Sequence, residues 1–120
     1  MTTIAENTGL VTLINVFTVD PSNQQELLDL LGHATDTSVR HVPGFVSAAL
    51  HRSVDGTKVT MYSQWRSEAH YRHYQSMLSD PVAAPYVGQV LAIARFDPGM
   101  YDVVRVFAGP SGADLVPEQR

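Results

Sequence analysis

Asn15 is the side chain whose position asks most for a chemical explanation. It lies in Leu10-Val-Thr-Leu-Ile-Asn-Val-Phe-Thr-Val19, a run dense in β-branched and aromatic residues that reads as a strand. The two-residue period puts Val11, Leu13, Asn15, Phe17 and Val19 on one face, so Asn15 is the one polar group on an apolar surface. A buried amide left unpaired costs about 1–3 kcal/mol, and it therefore calls for a partner in the protein or in a bound molecule. His51 alternates with Ala49 on a second strand, which turns it toward a pocket if that face is inward; a histidine satisfied within the fold is the plainer reading. Trp65, the one tryptophan, ends a strand, where a large aromatic ring either anchors the core or presents a flat face to a guest. Tyr71 and Tyr74 stand three residues apart and form an aromatic stripe on a helix. His70 and His73 are also one turn apart but have no third ligand nearby in sequence, while His41 closes a helix and His33 lies on a solvated helix face.

The elements that must position these groups follow from punctuation and periodicity. The first strand stops at Asp20-Pro21, and Ser22 or Asp20 caps a helix whose Leu27, Leu28, Leu31, Ala34, Thr35, Ser38 and Val39 recur at three and four residues, ending near His41. Phe45–Ser53 and Lys58–Trp65 read as a hairpin across Val54-Asp55-Gly56-Thr57. Ser67 opens a second helix that runs to Ser79-Asp80-Pro81, with Ala69, Tyr71, Tyr74 and Leu78 on its apolar side. A shorter helix is predicted over Val82–Ala94, interrupted by Pro85 and Gly88, then a turn at Asp97-Pro98-Gly99 and a last strand over Met100–Phe107. Strand, helix, strand, strand, helix, strand is the order of an α+β, ferredoxin-like βαββαβ domain with an antiparallel four-stranded sheet. Helices cover one face of such a sheet. The largely apolar second face of the first strand predicts a further cover, most simply a homodimer.

Composition bounds the function classes. The 120 residues form a single domain, with residues 1–8 and 109–120 expected as flexible tails around a domain over 9–108. With 8 basic against 12 acidic side chains the net charge is −4, and without a Lys/Arg cluster the chain is not expected to bind nucleic acid. It contains no cysteine, which excludes disulfides, thiolate metal sites and cysteine nucleophiles. No apolar stretch approaches the roughly 18 residues of a membrane span and no leader pattern opens the chain, so a cytoplasmic protein without membrane association is expected.

Three motifs carry a resemblance. Asp20-Pro21 after an Asn-bearing strand, Val42-Pro-Gly-Phe-Val-Ser-Ala48 entering the second strand, and Tyr62-Ser-Gln-Trp-Arg-Ser-Glu-Ala-His-Tyr71 closing the hairpin together resemble the antibiotic biosynthesis monooxygenase superfamily, over residues 10–107. Within it the chain is similar to the small anthrone oxygenases of aromatic polyketide pathways, which form dimeric α+β barrels. The resemblance implies a cofactor-independent oxidation of an anthrone-like polyketide phenol to a quinone, with dioxygen as co-substrate and neither metal nor cofactor. It implies that Trp65 stacks on the substrate rings, that Asn15 hydrogen-bonds a carbonyl or developing oxyanion, and that Tyr71 or His51 handles a proton. Phe17, Met61, Tyr74 and Tyr86 are expected to line the substrate pocket. Two departures stand out: Met61 occupies a position where some anthrone oxygenases carry asparagine, and Pro85-Tyr-Val-Gly88 fills a segment where some carry arginine. Heme-degrading relatives place a histidine where this chain has Gln75, with His73 close by. A non-oxidative cyclase or isomerase using His51 with Tyr71, and a noncatalytic binding dimer, are the rival readings.

Overall fold

The structure, a computed structural model, describes residues 2–110. Its sheet is four-stranded and antiparallel throughout: β1 (Val11–Val19), β2 (Phe45–Arg52), β3 (Lys58–Trp65) and β4 (Ala94–Tyr101) lie in the order β2-β3-β1-β4. Three helices, α1 (Gln24–Thr37), α2 (Glu68–Met77) and α3 (Val87–Ile93), complete the ferredoxin-like α+β fold.

Local chemistry sets the boundaries. The Asp20 carboxylate accepts hydrogen bonds from the Ser22 backbone and hydroxyl at 3.0 and 2.7 Å, turning the chain from β1 toward α1. Asp55 does the same in the hairpin, accepting from the Thr57 amide, the Thr57 hydroxyl and the Ser53 hydroxyl. Those donors, the Thr57 amide first, lower its pKa to about 2. Leu27, Leu31 and Ala34 are the buried stripe of α1. One core gathers Phe17, Val19, Leu27, Leu31, Val59, Val90 and Ala94, a second gathers Leu13, Val39, Val42, Trp65 and Tyr71, and Tyr86 packs against both.

The last strand differs from expectation. Asp97-Pro98-Gly99 is no turn; β4 runs straight through it, beginning at Ala94 and pairing Pro98 with Asn15. An edge strand tolerates proline because one side of it has no ladder to lose. The helix expected over Val82–Ala94 is confined to Val87–Ile93, since Pro85 lacks the amide that a longer helix needs. The N-terminal segment makes hydrogen bonds to the rest of the fold. The Gln64 side-chain amide donates to the Thr3 carbonyl at 2.6 Å, and the Glu6 carboxylate accepts from the Val106 amide at 2.8 Å. Gln64 faces away from the helices, so this segment crosses one end of the sheet's open face. Of the tail expected over 109–120, residues 111–120 lie outside the described residues. Among the described residues, no helix is long and apolar enough to cross a membrane.

Candidate active site

Strand alternation and register build a cavity between sheet and helices. Asn15 of β1 lies between Met61 of β3 and Pro98 of β4, with Leu13 and Phe17 above and below it on the same face. The helices close over this patch and leave a cavity of about 310 Å³. Seven of the eight expected site residues line it: Asn15, Phe17, Met61, Trp65, Tyr71, Tyr74 and Tyr86. The eighth, His51, does not.

His51 pairs with Thr60 and is exposed on the open face of the sheet, while its neighbour Leu50 pairs with Met61. The correction has a local cause. Phe45 packs its ring against Trp65 on the helix side, and simple alternation from Phe45 would carry residues 47, 49 and 51 inward. A bulge between Phe45 and Ser47 reverses the parity. Ala48 thus lines the cavity and His51 points to the opposite side.

Trp65 is fully enclosed. Tyr74 stacks on it at 5.1 Å between centroids with 21° between planes, Phe45 and Tyr71 meet it edge-on, and its indole N–H donates to the Ser63 hydroxyl at 3.1 Å. A ring face covered by Tyr74 is not free to stack on a guest, so Trp65 is a backing that orients the tyrosines around the cavity.

The tyrosines are held neutral. Burial raises the Tyr71 pKa, with Arg72 opposing it weakly. Burial also raises Tyr74 strongly, and the nearby Tyr86 adds to the effect. Tyr86 is raised by burial despite the hydrogen bond with Tyr74. The two hydroxyls are 3.2 Å apart, one donating to the other. All three phenols are protonated at neutral pH and so keep an O–H to donate. Asn15 is the polar group on the sheet side of the cavity that is left without a partner. Its Oδ1 is buried and has no hydrogen-bond partner among the described residues, and neither Met61 nor Pro98 beside it carries a donor.

Sequence reasoning met Gln75 only as the residue standing where heme-degrading relatives place a histidine and passed over Ser79, yet both line the same cavity as Tyr71. Counting four residues on from Tyr71 along α2 would have found Gln75, whereas Ser79 lies just beyond the end of that helix. His70 is used in packing: its Nδ1 lies 2.7 Å from the Ser67 hydroxyl that caps α2. Among the described residues, no three His, Asp or Glu side chains come together as a metal site.

The comparisons with known proteins agree with the fold. The antibiotic biosynthesis monooxygenase family model matches residues 10–78. A curated relative, the tetracenomycin-F1 monooxygenase of Streptomyces glaucescens, is 43% identical over 115 residues, covering 94% of this chain and 100% of its own. Among solved structures, a monooxygenase from the gene ActVA-Orf6 of Streptomyces coelicolor, in complex with the ligand nanaomycin D, aligns with a TM-score of 0.67 at 31% identity. That alignment covers 84% of this chain and 92% of the other. SnoaB of Streptomyces nogalater, a cofactor-independent oxygenase, aligns with a TM-score of 0.62 at 20% identity over 83% and 98% of the two chains, a likeness of fold. The chain belongs to the antibiotic biosynthesis monooxygenase family.

Proposed function

We propose that this protein is a cofactor-independent monooxygenase that uses dioxygen to oxidise an anthrone-like aromatic polyketide to its quinone. The observation that carries the reading is the unpartnered Asn15 Oδ1 inside a cavity walled by tyrosines. A relative named for a tetracenomycin substrate and a neighbour holding nanaomycin D support a fused-ring guest.

The chemistry requires little of the protein beyond placement. The ring methylene of the guest gives a proton to water and becomes an electron-rich phenolate. That anion passes one electron to dioxygen, and the resulting radical and superoxide recombine as a peroxide. Protonation and loss of water then leave the carbonyl, so CH₂ and O₂ become C=O and H₂O. Asn15 Oδ1 accepts the hydrogen bond of the guest's phenol, and the same amide turned by half a rotation gives its N–H to the developing oxyanion. Tyr71, held protonated, donates toward the peroxide oxygen. Phe17, Met61, Tyr74 and Tyr86 grip the rings and exclude water.

The non-oxidative rival needs His51 and Tyr71 in one pocket, and they lie on opposite sides of the sheet. A second copy of the chain, covering the part of the open face that the N-terminal segment leaves bare, belongs to the proposal. Light scattering should then give twice the 13.2 kDa chain mass.

The deciding experiment supplies metal-stripped protein with dithranol and follows oxygen uptake and quinone absorbance. Uptake faster than autoxidation, falling about 100-fold in Asn15→Ala, is the expected result. Quinone formation no faster than without protein would end the oxygenase reading and leave a binding role.

A further inference from the structure

Among the described residues, the cavity lining includes no Asp, Glu, Lys, Arg or His, so an anion formed from the guest must be held there by neutral donors. On the sheet side these are few: of the strand residues in the lining, only Asn15, Ser63 and Trp65 have side-chain nitrogen or oxygen atoms. The Trp65 indole N–H is already engaged, donating to the Ser63 hydroxyl at 3.1 Å. That contact uses the serine oxygen and not its proton. Ser63 is 4% exposed, and its own O–H has no acceptor among the described residues. A buried hydroxyl that accepts one hydrogen bond and gives none keeps a donor for whatever fills the space beside it, and that space is the cavity. Ser63 pairs with Leu13, and Met61, two residues before it, pairs with Asn15. Serine and asparagine are therefore diagonal neighbours on one face, about 7 Å apart between Cβ atoms, and one guest can meet both.

We propose that Ser63 is a further catalytic residue, whose hydroxyl donates to the guest's ketone oxygen and stabilises the negative charge that gathers there when the ring methylene is deprotonated. The inference rests on the oxygenase reading and adds the group that holds the anion. In that step a methylene C–H bond breaks, its proton goes to water, and the bonding electron pair moves through the ring onto the ketone oxygen. Ser63 keeps its own proton throughout and shares it as a hydrogen bond. Such a bond is roughly twice as strong to a charged acceptor as to a neutral one, so it favours the anion over the bound ketone and lowers the barrier between them. The Asn15 amide must turn to present an N–H, whereas the serine, with the indole N–H on its oxygen, is a donor from the start. Asn15 Oδ1 then remains free to accept from a phenol that flanks the ketone. An acceptor and a donor side by side on the sheet match a phenol and a ketone on neighbouring ring positions.

1,8-Dihydroxyanthraquinone carries that phenol–ketone pair, has no methylene to oxidise and changes colour when it ionises, so it reports on the anion without turnover. Bound to Ser63→Ala, it should ionise about one pH unit higher than when bound to the parent protein, a roughly tenfold change in ionisation constant. Affinity for the neutral quinone should stay within threefold, because its ketone oxygen is already satisfied by its own phenols. Tyr71, Tyr74 and Tyr86, the titratable groups of the lining, are all raised by burial and stay protonated while the quinone ionises. Ser63→Cys is close to serine in size and a weak donor; it should match Ser63→Ala and serves in its place if the alanine variant does not fold. With dithranol, kcat should fall about tenfold in both variants while KM stays within threefold. An ionisation that neither substitution changes would overturn the role and leave Ser63 as a support for the Trp65 ring. So would weaker binding of the neutral quinone with its ionisation unmoved, or a parent protein that does not bind the quinone. If the ionisation responds to Ser63 but the parent consumes no oxygen with dithranol, the oxygenase reading is overturned and the serine is a binding contact, not a catalytic one.

Discussion

Trp65 and Tyr74 are stacked with their ring centroids 5.1 Å apart, and the tryptophan has no exposed surface. In the proposed reaction the indole acts through the tyrosine it supports. Trp65→Phe removes ring volume from the core and leaves the Ser63 hydroxyl without its N–H donor, at a cost of about 2 kcal/mol. Urea unfolding should show a midpoint shift of that size. KM for the aromatic substrate should rise more than kcat falls, because what is lost is the placement of Tyr74. Equal loss in kcat and kcat/KM would instead make the indole a direct participant in the transition state.

Asn15 gives a prediction of opposite sign. An amide oxygen buried without a partner destabilises the empty protein, and an apolar side chain on the same face removes that penalty. Asn15→Leu is expected to raise the unfolding free energy by about 1 kcal/mol while abolishing turnover. A variant that is both active and more stable would show that the amide has no part in the reaction, and thermal melts beside the oxygen-uptake assay check both halves.

Most of the fold was legible because its signals are local. The Asp-Gly turn, the three- and four-residue recurrence of α1 and the Ser67 cap of α2 each specify an element within a few residues. β4 was not, because the turn-forming character of Asp97-Pro98-Gly99 is overridden by pairing with β1, at an edge where proline is tolerated. The site followed the same division. Asn15 was readable from parity on an unbroken strand, whereas His51 was misplaced by one bulged residue at Val46, for which Pro43-Gly44-Phe45 offers no separate sign. The enclosure of Trp65 depends on rings from β2 and α2 meeting in space, which spacing along the chain does not contain.

The three cavity tyrosines fix the behaviour at high pH. In the unfolded chain their phenols ionise near the ordinary value of 10.0, whereas burial raises each of them in the folded protein. Above that ordinary value the unfolded state sheds protons that the folded state keeps. Stability is therefore intact below about pH 10 and is lost as pH climbs through the folded values. Melting temperatures measured from pH 8 to 11 should fall over the upper part of that range. The fall should be shallower in Tyr74→Phe, whose parent side chain is raised most, and an unchanged slope would mean that Tyr74 ionises freely in the folded state.

Gly44 and His70 determine where α2 begins, and so where Tyr71, Tyr74 and Gln75 face. Gly44 has φ of +89°, and a Cβ built on it would fall inside the His70 ring. Its carbonyl accepts from the Arg66 amide at 2.8 Å, while the Ser67 hydroxyl accepts from the His70 amide at the helix start. Gly44→Ala therefore combines a steric conflict with a left-handed backbone that alanine resists, together on the order of 3 kcal/mol. The two parts separate in a double-mutant cycle. His70→Ala in the Gly44→Ala background relieves the collision and leaves the backbone penalty of about 1 kcal/mol, so the pair should show a coupling above about 1 kcal/mol. Additive effects would mean that the imidazole moves aside at no cost and that α2 is placed by its cap alone. Turnover adds a second readout, because a displaced α2 carries Tyr71 away from Asn15. Gly44→Ala protein that is still fully folded should lose activity, and the double variant should recover part of it.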